Sequence, residues 1–427
     1  MTSEGVLTTL YSFCTQTGCL DGLYPYAGLI EGTDGNFYGT TAQGGTKDGH
    51  AGTVFKITPK GKLTTLSSFC AQSNCTDGLY PSGGLVQGAD GNFYGTTFSG
   101  GIGDAQWCSG GCGTIFKISR TGILTTLHSF AGYSGEGSGP NSALLPGKDG
   151  TFYGITENGC AYDVCTHGCG TVFKITPKGT LTTLHSFAGS PSGDGAAPFA
   201  NLVFGTEGAF YGTTSIGGTN DAGTVFKITP AGVLTTIHSF CSVSNRADGQ
   251  TPEGGLVSTS DGNLYGTTTL GGVYTAGSVF KITPRWKLTT LYSFCAQGYP
   301  HCPDGSLASA GLLQATNGNF YGVTEAGGDL NCDDGYGCGT VFALSVGLSP
   351  FVETRPTSGK VGKSVIILGT NLKGSTNVTF NGINATFVVV SNSEIKTTVP
   401  TGATTGAVKV KTPKGTLVSN VAFRVIP

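Results

Sequence analysis

An all-β fold is what this 427-residue chain predicts, and three observations carry that expectation. The motif Phe-Tyr-Gly or Leu-Tyr-Gly recurs six times, with its tyrosines at Tyr38, Tyr94, Tyr153, Tyr211, Tyr265 and Tyr321. The segment "GTVFKITPKGTLTTLHSF" at Gly170 to Phe187 returns nearly unchanged from Gly52, Gly113, Gly223 and Gly277. No segment holds a helical period, whereas β-branched and aromatic residues alternate through these repeats as a pleated, half-buried surface prefers.

Each unit reads as four short strands. The first is "GGLVQG", Gly83 to Gly88 in the second unit, built of small residues. Asp90-Gly91-Asn92 then supplies a hairpin signal. "FYGTT" is the second strand, and a variable loop with a Gly-Gly pair leads to the third, "GTVFKIT". A tight "TPKG" turn leads to the fourth, "LTTLHSF". One such meander cannot bury both faces, but units packed on one another can. The tyrosines are 56, 59, 58, 54 and 56 residues apart, in the range of propeller blades.

The two ends of the repeat array are each incomplete. The sixth unit stops after its third strand, "GTVFALSVG", and the chain opens on "LTTLYSF", Leu7 to Phe13, a fourth strand with no unit before it. The deficits cancel if the opening segment completes the sixth unit. The expectation is therefore a six-bladed β-propeller over residues 1–346, closed by its N-terminal strand, which also removes the exposed edges of an open arc. A stacked solenoid or β-helix is the alternative, with shorter coils and no need of half units.

These repeats, "GNFYGTT…GG…GTVFKITPxGxLTTLxSF", resemble the GloVer tandem repeat of bacterial extracellular "choice-of-anchor" proteins over about four fifths of the chain. The resemblance implies an exported bacterial protein and no settled activity. From about Leu348 the pattern changes, with lysine and valine in place of Phe-Tyr-Gly. "SGKVGKSVIILGTNL", "VTFNG", "IKTTVP" and "KTPKGTLVSNVAF" look like an IPT/TIG domain, an immunoglobulin-like β-sandwich, over residues 350–427. That resemblance implies a spacer or adhesive module. Residues 346–350 are the expected hinge.

Most of the 14 cysteines fall in couples in equivalent loops: Cys14 with Cys19, Cys70 with Cys75, Cys108 with Cys112, Cys165 with Cys169, Cys295 with Cys302, and Cys332 with Cys338. Other repeats mostly lack both members, as a bond requires. Zinc is the other reading, but no loop offers four clustered thiolates. Six local disulfides place the chain in an oxidising compartment, extracellular or at the cell surface. Cys160 and Cys241 are left over, free or paired with each other. The opening "MTSEGVLTTL" has neither a basic nor an apolar signal region, so an export signal would have been removed before this numbering.

Net charge is −2, against nucleic acid as a partner, and no apolar run reaches a membrane span. A monomer is expected. Function is expected on the loop-bearing face, where an acid-Gly pair precedes each first strand: Asp21, Asp77, Glu136, Asp194, Asp248 and Asp304. Six carboxylates round a channel mouth would suit a Ca²⁺ ion or acid/base work; otherwise each acid caps its own turn. No other cofactor is indicated. Tyr24, Tyr80, Trp107 and Tyr162 share that face, as sugar-stacking platforms or as plugs between loops, and His50, His167 and His301 stand singly in variable loops. The expected function is a binding protein for a glycan or another extracellular partner. A polysaccharide lyase or hydrolase using loop carboxylates is the second reading, and a structural surface module the third.

Overall fold

The computed structural model describes all residues except 1–8, 46–50, 103–107, 109, 133–134, 148, 160–168, 190–192, 206–207, 299–300, 330–336 and 427. Among the described residues it is all-β, with only three short 3-10 turns. Each repeat forms one antiparallel meander. In the second these strands are Val86–Gln87, Phe93–Thr97, Thr114–Ile118 and Leu124–Ser129, hydrogen-bonded in that order. The sixth has three, Leu313–Gln314, Phe320–Val323 and Val341–Leu344.

A bulge recurs between strands three and four. Phe55 pairs with Thr65 and Val54 with Ser67, so Leu66 is the extra residue. Its carbonyl is thereby turned toward the neighbouring unit, where a Cβ on Gly122 would lie 2.4 Å from that oxygen. Gly122 has φ +90, so both its conformation and its missing side chain are required. Leu127 with Gly179 and Leu184 with Gly232 repeat this.

Two aromatic ladders then run from unit to unit. Phe69 meets Phe116, Phe130 meets Phe173, Phe187 meets Phe226, Phe240 meets Phe280 and Phe294 meets Phe342, all at 5.0–5.4 Å. On the other side Tyr38 packs on Phe93 at 4.0 Å and Tyr94 on Phe152 at 4.3 Å. Buried rings of this size dominate core energetics, which explains why these Phe and Tyr recur from unit to unit, with Leu264 the one replacement. The first strands touch along a narrow line, with Gly84 beside Ala143 and Gly28, and Gly311 against Gly255. Small residues are needed there because two backbones approach.

Residues 10–13 hold, on the first unit, the place that a preceding fourth strand takes on later units. Phe13 packs on Phe55 at 5.0 Å, and the Leu10 carbonyl faces Gly61. At the other end, Val341 is 80% exposed, and no strand among the described residues pairs with the outer edge of Val341–Leu344. A groove of about 300 Å³ lies there, between Val279, Tyr292 and Phe294 on one side and Phe342 and Leu344 on the other. Leu7 and Thr8 lie outside the described residues.

The tail packs two sheets on a core of Val352, Val365, Ile367, Leu372, Val378, Phe380, Ile395, Val408, Val410 and Phe423. One sheet pairs Glu353–Arg355, Ser364–Leu368, Glu394–Thr398 and Phe387–Val389. The other pairs Ile383–Asn384, Asn377–Phe380, Val408–Thr412 and Gly415–Val418. The expected hinge is tied down: Val346 and Leu348 pack against the last repeat, and the Phe351 N–H donates to the Thr316 carbonyl at 2.9 Å.

Candidate functional site

The acid-Gly pairs are explained locally. Asp21 is fully buried, and its Oδ2 accepts from the Tyr11 hydroxyl at 2.7 Å, the Thr15 hydroxyl at 2.9 Å and the Thr15 N–H at 3.0 Å. Burial alone would raise this carboxyl, but the Tyr11 and Thr15 hydrogen bonds outweigh it and hold its pKa below the usual carboxylate range. Asp77 accepts from the Ala71 N–H, Asp194 from Ala188, Asp248 from Ser242 and Asp304 from Ala296. Each closes the loop that follows its own fourth strand. The glycine after it fits over a threonine, since a Cβ on Gly22 would lie 2.6 Å from the Thr41 side chain at φ +109.

The strand-four histidines are the other half of this latch. His185 and His238 meet Asp194 and Asp248 at 3.0 Å, and His128 meets Glu136 at 3.2 Å. Tyr292 replaces histidine and donates to Asp304 at 2.6 Å. The acid is Asp in five units and Glu in one, while its partner position changes among Tyr, Ser and His, so the sequence carried no covariation that marked this pairing.

Four of the six cysteine couples are bonded within the described residues: Cys14–Cys19, Cys70–Cys75, Cys108–Cys112 and Cys295–Cys302. Cys169 and Cys338 are also disulfide-bonded, while Cys165, Cys332 and Cys160 lie outside the described residues. Cys241 is a free thiol. Its loop nevertheless has the shape of the bridged ones, with φ +58 at Cys241 and +56 at Arg246 against +56 and +52 at Cys70 and Cys75. The shared aspartate, not the bridge, sets that shape.

Tyr24 stacks on Tyr26 at 5.8 Å with both rings exposed, and the Tyr80 N–H donates to the Ala51 carbonyl. His301 is exposed in a turn. Trp107, Tyr162, His50 and His167 lie outside the described residues.

What breaks the repeat symmetry lies elsewhere. Two positions meet in each unit, one just after the second strand and one just before the first. Backbone bonds hold them there: Glu157 N–H donates to Gly139 O, Thr269 to Thr251 O, and Glu325 to Leu307 O. In the third, fifth and sixth units the two positions form polar pairs. Asn141 donates to Glu157 at 2.9 Å, Thr269 to Glu253 at 2.8 Å, and Ser309 to Glu325. In the first, second and fourth units the same positions hold Tyr26 with Ala42, Ser82 with Phe98, and Phe199 with Ser215. Tyr26 is 74% and Phe199 44% exposed.

These residues stand at the loop-side end of the line where first strands converge. Burial pushes the Glu157 carboxyl above the usual carboxylate range, the Asn141 hydrogen bond opposes this, and the charge of Glu253 adds to the rise. Glu157 belongs to the third unit and Glu253 to the fifth, so the array curves enough for carboxylates two units apart to sense each other. Among the described residues no group of three His, Cys, Asp or Glu is placed to hold a metal ion. Carboxylates and amides of the third, fifth and sixth units, interspersed with the exposed rings of Tyr26 and Phe199, form a surface suited to a hydroxyl-rich ring.

Two family models match the chain. The Gloeobacter/Verrucomicrobia repeat matches residues 1–166 and 105–342, and the IPT/TIG domain matches residues 352–425. No curated protein matches it. Among solved structures, a protein assigned as a gluconolactonase is 12% identical, with 78% of this chain and 92% of that one covered at a TM-score of 0.39. A luciferin-regenerating enzyme is 13% identical, covering 77% and 94% at 0.43. The extracellular domain of a protein assigned to the hybrid two-component systems of B. thetaiotaomicron is 10% identical, covering 92% and 49% at 0.45. At these scores the likenesses carry no argument about activity or ligand.

Proposed function

Because the chain belongs to the Gloeobacter/Verrucomicrobia repeat family and ends in an IPT/TIG domain, we propose that it is an extracellular surface module that binds a glycan at the axial end of its repeat array. The array is a six-bladed propeller, sealed when residues 7–13 pair with the free edge of Val341–Leu344. In the sealed ring, repeat equivalence would set Thr9 opposite Phe342, as Thr65 stands opposite Phe55. The disulfides fit an oxidising compartment, and no helix among the described residues is long and apolar enough to cross a membrane.

The observation that carries the binding reading is the three-and-three split of the axial positions. A purely structural repeat would inherit one residue type there, as it does at the acid-Gly pair. Three glutamates disfavour an anionic ligand, so the ligand class is a neutral or amino-bearing sugar chain. Glu157, a carboxyl raised above the usual carboxylate range by burial, also suits acid/base chemistry, which is the basis of the second, glycoside-cleaving reading.

The test is calorimetric titration of the full chain with neutral and amino-sugar oligosaccharides, with reducing ends assayed in parallel. Glu157→Gln with Glu253→Gln, and separately Tyr26→Ala with Phe199→Ala, should each weaken binding by about tenfold or more. Binding unchanged in both pairs would refute the axial site. Release of reducing ends that Glu157→Gln abolishes would convert the module to an enzyme.

A further inference from the structure

The chain's near-neutral total hides a division of charge. Of its 23 Lys and Arg, nine lie in residues 351–427; of its 25 Asp and Glu, only Glu353 and Glu394 do. The repeats are correspondingly acidic, with 14 basic residues against 23 acidic ones in residues 1–350. An excess of this size on a domain of fewer than eighty residues is a statement about its partner.

The structure gathers part of that excess on one face. In Val408–Thr412 buried Val408, Val410 and Thr412 alternate with exposed Lys409 and Lys411. Lys411 is directly opposite Asn377 and Thr416, and Lys409 opposite Thr379 and Val418, so all six point to the same side of the sheet. Lys414 stands exposed in the turn that follows, its N–H bonded to Thr412 Oγ1 at 3.1 Å. Lys373 joins this end, because the Thr376 N–H donates to the Lys411 carbonyl and a Cβ on Gly374 would lie 3.0 Å from Pro413. The domain's two carboxylates are on the opposite sheet, where Glu353 pairs with Arg355 at 3.4 Å and Glu394 with Lys396 at 3.8 Å. Lys373, Lys409, Lys411 and Lys414 form no ion pair among the described residues.

We infer that this lysine face binds an anionic polysaccharide, a site separate from the axial mouth and of opposite charge preference. Asn377, Thr379 and Thr416 set neutral hydrogen-bonding groups between the ammonium groups, which suits a polymer carrying both hydroxyls and carboxylates. The face offers no aromatic ring on which a nucleic-acid base could stack. The two ends of the molecule would then hold different polymers, the acidic repeats a neutral or amino sugar and the basic tail an acidic one.

The experiment uses the full chain with polygalacturonate, neutral dextran and a short DNA duplex as probes. Polygalacturonate should bind at about 50 mM NaCl and release by about 500 mM, because exposed charges are screened. Dextran should not bind. K373Q/K409Q/K411Q/K414Q should lose about tenfold or more in affinity with an unchanged melting curve, the four Lys→Arg replacements should retain it, and K60Q/K62Q/K178Q/K287Q, an equal charge change on the repeats, should stay within about twofold. Equal losses in the two Gln variants would overturn the local face. So would absence of polygalacturonate binding, DNA binding tighter than polygalacturonate, or binding to dextran. Low-salt self-association removed by the tail variant, with no polymer bound, would assign the face to the acidic repeats of a second copy and overturn the inference.

Discussion

Asp21→Asn is the sharpest probe of the loop latch. The wild-type carboxylate is fully buried and accepts three close hydrogen bonds from Tyr11 and Thr15, with the Gln16 N–H a fourth donor at 3.4 Å. The amide keeps the shape but is neutral and offers one acceptor oxygen, so the Thr15 N–H and the two hydroxyls lose a charged acceptor and the hydroxyls fall back on each other at 3.0 Å. Hydrogen bonds to a charged group contribute about 1.5–3 kcal/mol each, and losing one to two of them at the buried end should cost about 3 kcal/mol. For a protein of this size that is a melting-point fall of about 3 °C. The sign with pH follows from the lowered folded-state pKa of Asp21. Its contribution is fully present above the unfolded value and is lost as pH falls through the lower folded value, so wild type and variant should converge in strong acid. Calorimetric melting at pH 7 and in steps below pH 4 measures both. An unchanged melting point at pH 7, or a gap that persists in strong acid, would refute the latch. Glycan binding at the proposed axial site should survive, because this carboxylate is not part of that site.

Four further outcomes follow from the same structure. Arg246→Cys should bond to Cys241, since that loop already has the backbone of the Cys70–Cys75 loop; thiol titration should fall and stability rise by about 2 kcal/mol. Phe173→Ala empties a fully buried rung of the ladder and should cost about 4 kcal/mol in denaturant unfolding. Gly137→Ala should cost more than about 2 kcal/mol, because φ is +89 and the new Cβ would lie 1.9 Å from Thr156 Oγ1. If residues 7–13 seal the propeller, hydrogen exchange at Val341–Leu344 should be as slow as at Thr171–Ile175 in a complete sheet; fast exchange there would mean an open array.

Much of the fold was legible because its determinants are short-range. Alternation in "GTVFKIT" and the Asn and Gly of the hairpins act within a few residues, and the recurrence of the same words from Tyr38 to Tyr321 shows by comparison alone that one unit is repeated, so both survive reading in one dimension. The cysteine couples were readable for the same reason. The acids were visible but ambiguous. Their repetition fitted both a ring of ligands and a capped turn, and only the Tyr11 and Thr15 donors around Asp21 give that carboxylate its local job. The basic face escaped because a whole-chain charge averages two domains of opposite sign.

By itself the sequence determined that six like meanders form, how each strand and turn is built, and that a different β domain follows. Only the tertiary structure decided which residues meet where the first strands converge. Asn141 and Glu157 are 16 residues apart, and Glu157 and Glu253 almost a hundred, yet the converging first strands bring them within electrostatic reach. Such proximity depends on how much each sheet rotates against its neighbour, set by the Phe ladder and the bulge carbonyls packed against glycine. That rotation is a sum over many contacts, and no single motif carries it.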